Sequence, residues 1–283
     1  MINIDKRMIA ATCINKWLNA RILLAVLLLL LQLITFAQKK SKPAYILQVG
    51  AGINNFYVID KNFSSLPYSG IGWGIVGGIQ RQQKKLYQQL SFQYATGNLH
   101  TSIQPKYYTS QMYVALDYMQ LYKLGISRDS ALEYKAGAGL NAFLTQRNYG
   151  GLGSNSFSYD FALSLSAACE IDYHFKNKLH GFSISNRIIV PFVSSIVQPA
   201  YGSDDLPGYL PQNNSSVKGL IKSNHIVSFP SFFRIKNSFT LKKKVTEKES
   251  LALSYNWDYY QMTTDREVKQ ANHQLLLTYT IQL

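Results

Sequence analysis

Apolar and polar side chains alternate along most of this chain with a period of two, and the clearest run is Phe157 to Phe175. Its odd positions are Phe157, Tyr159, Phe161, Leu163, Leu165, Ala167, Cys169, Ile171, Tyr173 and Phe175. Its even positions are Ser158, Asp160, Ala162, Ser164, Ser166, Ala168, Glu170, Asp172 and His174. Successive side chains of a β-strand point to opposite faces, so this run predicts a strand with all its large apolar groups on one face. That face is ordered along its length as aromatic, aliphatic, then aromatic. The order fits a strand crossing a bilayer, with rings at both headgroup levels and aliphatic groups against the lipid tails.

The same pattern predicts ten strands: Tyr45 to Val58, Gly70 to Arg81, Leu86 to Thr96, Tyr108 to Ile126, Ala131 to Arg147, Phe157 to Phe175, Phe182 to Ile196, Ile226 to Leu241, Leu251 to Met262 and Lys269 to Leu283. Their connections fall into two alternating sets. Gln82 to Lys85, Ser127 to Ser130, Lys176 to Gly181 and Lys242 to Ser250 are short and charged. Ile59 to Ser69, Gly97 to Tyr107, Gly150 to Ser156, Val197 to His225 and Thr263 to Val268 are longer or richer in turn residues. Short turns at one end, longer loops at the other, an even strand number and both termini on the short-turn side are the plan of a transmembrane antiparallel up-and-down β-barrel. A miscounted pair would make eight or twelve strands.

Alternation alone does not say which face is outward, because a soluble barrel shows it with the apolar face inside. Three features favour lipid outside. The strands are longer than globular ones usually are. The apolar face carries aromatic belts. The polar face collects charges suited to pairing in a lumen: Glu133, Lys135, Asp160, Glu170, Asp172, Arg187, Arg234, Lys236 and Asp258. The sixth and seventh strands join through a short turn, so Glu170 and Arg187 are expected opposite or diagonal, as a structural lumen ion pair.

The N-terminus points the same way. Lys6, Arg7, Lys16 and Arg21 precede the apolar run Ile22 to Leu31, and Thr35-Phe36-Ala37 has small residues at its first and third places. Residues 1–37 therefore read as a cleaved signal peptide, leaving 38–283 as one barrel domain. An uncleaved anchor is the weaker alternative, since the apolar run is short for a spanning helix. The remaining 246 residues hold 25 basic and 14 acidic side chains, a formal charge of +11. Only Cys169 remains among them, so no intramolecular disulfide is available. For an exported chain the nearest anions are the phosphates of outer-membrane lipid and lipopolysaccharide. No nucleic-acid motif accompanies the charge.

The Thr-Phe-Ala-Gln ending at Gln38, the Gly-rich first strands (Val49-Gly50-Ala51-Gly52-Ile53 and Gly70-Ile71-Gly72-Trp73-Gly74), the Tyr-rich alternation and the final strand Leu275 to Leu283 resemble the small outer-membrane β-barrel proteins of Gram-negative bacteria, loosely the PorT-like group. The resemblance covers most of the chain after residue 37 and rests on texture rather than a diagnostic motif. It implies a barrel without catalysis in the cell outer membrane, in some members linked to secretion, with envelope or secretion proteins as partners.

Catalytic patterns match only in part. Asp172-Tyr173-His174 resembles half of the omptin protease site, but it falls at the short-turn end, and Asp204-Asp205 are adjacent rather than spaced by two. Ser183-Ile184-Ser185-Asn186 resembles the signature of lipid A deacylases, with serine where the histidine base belongs. No phosphate loop or Cys/His cluster suits a cofactor or metal, so none is expected. Binding is instead expected in the longest external segment, Val197 to His225, at Tyr201, Asp204, Asp205 and Tyr209. The ranked expectation is a structural or interaction component of the envelope, then a narrow pore for small solutes, then a barrel protease or lipid hydrolase.

Overall fold

The structure, a computed structural model, describes residues 43–61, 64–103, 108–127, 131–150, 157–176, 179, 181–198, 224–264 and 267–283. The first 37 residues and the loop positions Tyr201, Asp204, Asp205 and Tyr209 lie outside the described residues. The strands are β1 (Ala44–Asp60), β2 (Ser64–Gln82), β3 (Leu86–His100), β4 (Tyr108–Ile126), β5 (Leu132–Tyr149), β6 (Phe157–His174), β7 (Phe182–Val197), β8 (His225–Val227), β9 (Phe232–Lys244), β10 (Glu249–Met262) and β11 (Val268–Gln282).

All pairings are antiparallel. Each strand from β1 to β7 pairs with the next, β7 pairs with β9, and β9, β10 and β11 follow in order. The ring closes where β11 pairs with β1, from Ile46↔Gln282 to Asp60↔Val268. A closed sheet has no free edge, which is what a wall inside lipid requires. The short β8 pairs with β7 at Ser194–Ile196 and shares one place in the wall with β9, so the barrel has ten strands in section.

Burial is inverted relative to a soluble protein. Leu277 is 60% exposed and Trp73 55%, with Leu47, Val49, Ile53, Ile75, Leu90, Phe92, Leu253 and Tyr255 on the same outer face. Asp60, Asp117, Arg147, Asp160, Arg234 and Asp258 are buried within the barrel. Lipid tails therefore meet the alternating apolar face, and the polar face fills the lumen.

Three boundaries differ from the pattern read in the sequence. β2 starts at Ser64, so the β1–β2 connection is only 61–63, and the pairing shifts register between Val58 and Asp60. β3 continues to His100. The segment Ile226 to Leu241 is not one strand: a turn at Phe229–Ser231 separates β8 from β9. Pro230 sits in that turn because it has no N–H to give a strand ladder. Phe232 N–H then bonds Ser228 O at 3.2 Å, and the ladder resumes.

Six lumen-facing positions of β1 and β2 are glycines: Gly50, Gly52, Gly70, Gly72, Gly74 and Gly78. A Cβ on Gly52 would lie 1.9 Å from Leu275 O, and one on Gly72 1.9 Å from Thr96 O. Neighbouring strands approach too closely there for any side chain, and the wall leaves the lumen to large groups from the opposite side.

Candidate functional site in the barrel lumen

The end of the barrel carrying the termini holds the connections 83–85, 127–131, 175–181 and 245–248. The other end holds 61–63, 101–107, 150–156, 198–224 and 263–267. Between these ends the lumen is crossed by three tiers of charge.

The tier at the loop end centres on Arg147 of β5, whose side chain is fully buried. Its Nη1 donates to Asp60 Oδ2 of β1 at 3.1 Å and to Ser158 Oγ at 3.3 Å. Its Nη2 donates to Asp160 of β6, to Tyr260 Oη of β10 at 2.8 Å and to Gln270 Oε1 of β11 at 3.3 Å. The Tyr260 hydroxyl donates to Asp160 Oδ2 at 2.9 Å, and Ser158 donates to Asp60 Oδ2 at 3.0 Å. One guanidinium thus ties together strands from both sides of the barrel. Its fork of five donors, fixed in charge, suits that task.

Below it lies a second tier. Arg234 of β9 donates to Asp258 at 2.9 Å and 2.7 Å and reaches across to Tyr113 Oη of β4 at 3.0 Å. Its guanidinium lies 4.2 Å from the centre of the Phe143 ring. Lys236 crosses to Asp117 of β4 at 2.5 Å, and Asn141 donates to the same carboxylate at 2.7 Å. Around these groups Phe56, Tyr113, Phe143, Phe232, Tyr260 and Met262 pack as an apolar plug. Phe143 is its centre, 4.9 Å from the Tyr260 ring and within 6.4 Å of Tyr113 and Phe232.

The third tier lies nearest the termini. Glu170 and Arg187 face each other in the β6–β7 register, and Arg187 donates to Glu170. Arg187 also crosses the lumen to Gln89 Oε1 of β3 at 2.6 Å. Lys135 of β5 donates to Glu170 Oε1 at 2.8 Å and to Asp172. Tyr87 lies under both cations, 5.0 Å from Lys135 Nζ and 5.6 Å from the Arg187 guanidinium.

This third tier lines a cavity of about 330 Å³. On one side stand Glu133, Lys135, Glu170, Asp172, Arg187 and Lys242; on the other stand uncharged Gln48, Gln80, Gln93, Asn272, Gln274 and Thr278. Its rim includes exposed Gln82 and His174 at the end of the tight turns. At the opposite mouth, outside the membrane-spanning strands, Glu267 accepts hydrogen bonds from Lys269 and Lys61. These bonds hold its carboxyl down at about 2.

Asp172 and His174 are at the end of the tight turns, and Asp172 is engaged by Lys135. Sequence reading missed Arg147, Asp60 and Asp117 as lumen groups. The alternation holds a trace of the first: Arg147 shares odd parity with Glu133 and Lys135 of the same strand. Nothing in the sequence marks its partner Asp60, which is 87 positions away on another wall.

No family model matches the chain, and no curated protein matches it. Solved structures do. The outer membrane protease OmpT from Escherichia coli superposes with a TM-score of 0.54 at 9% identity, covering 87% of this chain and 99% of that one. The transport unit of the autotransporter AIDA-I from Escherichia coli gives 0.44 at 8% identity, covering 87% and 92%. Neisserial surface protein A gives 0.38 at 11% identity, covering 86% and 100%. The fold is that of a closed, ten-stranded outer-membrane type β-barrel.

Proposed function

We propose that this chain is a non-catalytic barrel of the cell outer membrane, with the tight turns and both termini in the periplasm, acting as a structural or interaction component of the envelope and serving secretion or envelope assembly. The plugged lumen is the observation that carries the reading. A solute path needs a water-filled axis, and here Arg147 and Arg234, both fully buried side chains, bond across the axis amid packed aromatic rings. Ten strands enclose little more than their own side chains. The apolar exterior supports membrane insertion, and the likeness to outer-membrane barrels supports the compartment.

The test is affinity capture of the tagged chain from crosslinked cell envelopes. One or more envelope proteins should co-purify in fixed ratio and be lost without crosslinker-accessible loops or turns. Recovery of the barrel alone, together with steady conductance in planar bilayers, would replace this reading with the pore. Turnover of lipid A or a peptide, lost on His174→Ala, would replace it with the enzyme.

A further inference from the structure

Among the described residues, the outward positions of β1 to β6 carry a single charged side chain, Arg81 at the tight-turn end of β2, and no carboxylate. Arg81 shares its face with exposed Ile75 and Ile79. Its Nη1 donates to Gln88 Oε1 of β3 at 3.3 Å. Gln88 Nε2 donates onward to Tyr118 Oη of β4 at 3.1 Å, and Gln120 Nε2 donates to Tyr122 Oη at 2.6 Å. Gln88 and Gln120 stand opposite each other in the register and keep step with exposed Leu90 and Leu116. They point out of the barrel, yet they are only 8% and 6% exposed. Polar side chains turned toward hydrocarbon are costly, so such a network on the outer wall marks a site of use.

The same row continues into a notch. Gln120 pairs with Ala138 of β5, and Ala138 pairs with Ala167 of β6. One step toward the tight turns, Ala136 pairs with Cys169. Leu140 and Leu165 bound these small side chains on the loop side, and Tyr134 and Ile171 bound them on the other. Strand tilt gives the row a direction. Arg81 is the last residue but one of β2, whereas Gln120 lies six residues from the end of β4 and Ala167 seven from the end of β6. The row thus runs from the rim, past amides and hydroxyls, into the apolar belt. A glycerophospholipid has that order: phosphate, ester linkages, acyl chain.

We infer that this patch binds one anionic glycerophospholipid of the surrounding bilayer, its phosphate at Arg81, its ester region at Gln88 and Gln120, and an acyl chain across Ala138 and Ala167. A guanidinium fork matches phosphate oxygens. Arg81 pairs with Tyr45, a ring of the belt at headgroup level. Lys84 and Lys85, exposed in the turn between Arg81 and Gln88, add positive charge. With no carboxylate on this face to receive the ammonium of a zwitterionic head, a head of net negative charge such as phosphatidylglycerol fits better. The leaflet follows from the orientation proposed above and is the periplasmic one; the binding itself does not depend on that orientation.

The test is native mass spectrometry of the full chain, released from neutral detergent micelles that hold equal amounts of phosphatidylglycerol and phosphatidylethanolamine with the same acyl chains. The barrel should retain about fivefold more phosphatidylglycerol. Arg81→Gln should bring the two lipids level, and Lys248→Gln, on a different exposed turn, should change nothing. Ala138→Leu fills the notch and should cut retention of both lipids, whereas Ala51→Leu on the outward face of β1 should not. Equal retention of the two lipids by the native chain, an unchanged preference in Arg81→Gln, or full retention in Ala138→Leu overturns the inference. Displacement of the lipid by an equal amount of soluble glycerol phosphate overturns it too, because the site would then be one for free phosphate. If Arg81→Gln does not fold, Ala138→Leu and the comparison of lipids on the native chain decide it. Absence of lipid preference would leave the proposed function standing, and failure to capture an envelope partner would leave this site standing.

Discussion

Arg147 sets the energetic stakes at the residue scale. Its guanidinium and the carboxylates of Asp60 and Asp160 have at most 1% of their side chains exposed, so water cannot replace a lost partner. Breaking a buried ion pair from one side leaves charge uncompensated, at a cost of roughly 3–5 kcal/mol. Arg147→Met should therefore destabilise the barrel by about that much, read from urea unfolding in lipid vesicles. Adding Asp60→Asn and Asp160→Asn should recover most of the loss, because neutral amides remove the stranded charge. Arg187→Met should cost less. The Arg187 side chain is 19% exposed beside the open cavity, and Glu170 keeps Lys135 as a partner. A larger loss at Arg187 than at Arg147 would mean the loop-end network is not what braces the lumen.

At the scale of elements, the β1–β11 seam depends on a missing side chain. Even a methyl group on Gly52 would collide with the Leu275 carbonyl. Gly52→Ala should thus cost about 1–3 kcal/mol by overpacking, and should lower the yield of refolded, heat-modifiable barrel. Alanine at Gly125, where no atom lies within 4 Å of the added carbon, is the control and should be near neutral. The strands themselves were legible because their two faces meet different solvents. Phe157 to Phe175 alternates without a break, and β6 runs from Phe157 to His174. The interruption at Pro230 was hidden by the apolar residues around it, Phe229 and Phe233, which keep the parity of a strand across the turn. The facing of Glu170 and Arg187 follows from a short connection, which fixes register between sequence neighbours. The partners of Arg147 follow from barrel radius and strand stagger, and these belong to the closed ring rather than to any local stretch.

At the scale of the whole molecule, the barrel is an apolar sleeve around a polar, braced interior, and each half of that statement has its own test. Leu277→Arg places a charge on the exposed belt and should cost about 2–4 kcal/mol, whereas Gln80→Arg, facing the cavity, should be milder. Vesicle unfolding that ranks them the other way would turn the barrel inside out. The interior half concerns flow. In the present structure the Phe143 plug and the two arginine tiers cross the lumen, so the native barrel should show no steady conductance in a planar bilayer. Conductance should appear only when the obstruction is removed from its centre. Phe143→Ala takes away the ring against which Tyr113, Phe232, Tyr260 and the Arg234 guanidinium pack, yet it leaves every lumen ion pair its two partners. It should cost about 3–5 kcal/mol and admit small ions through the gap. Combining it with Arg234→Ala and Asp258→Ala should widen the path without stranding a charge. If the native protein already conducts as well as these variants, the rings and arginines decorate a channel instead of closing one, and the pore reading displaces the interaction reading.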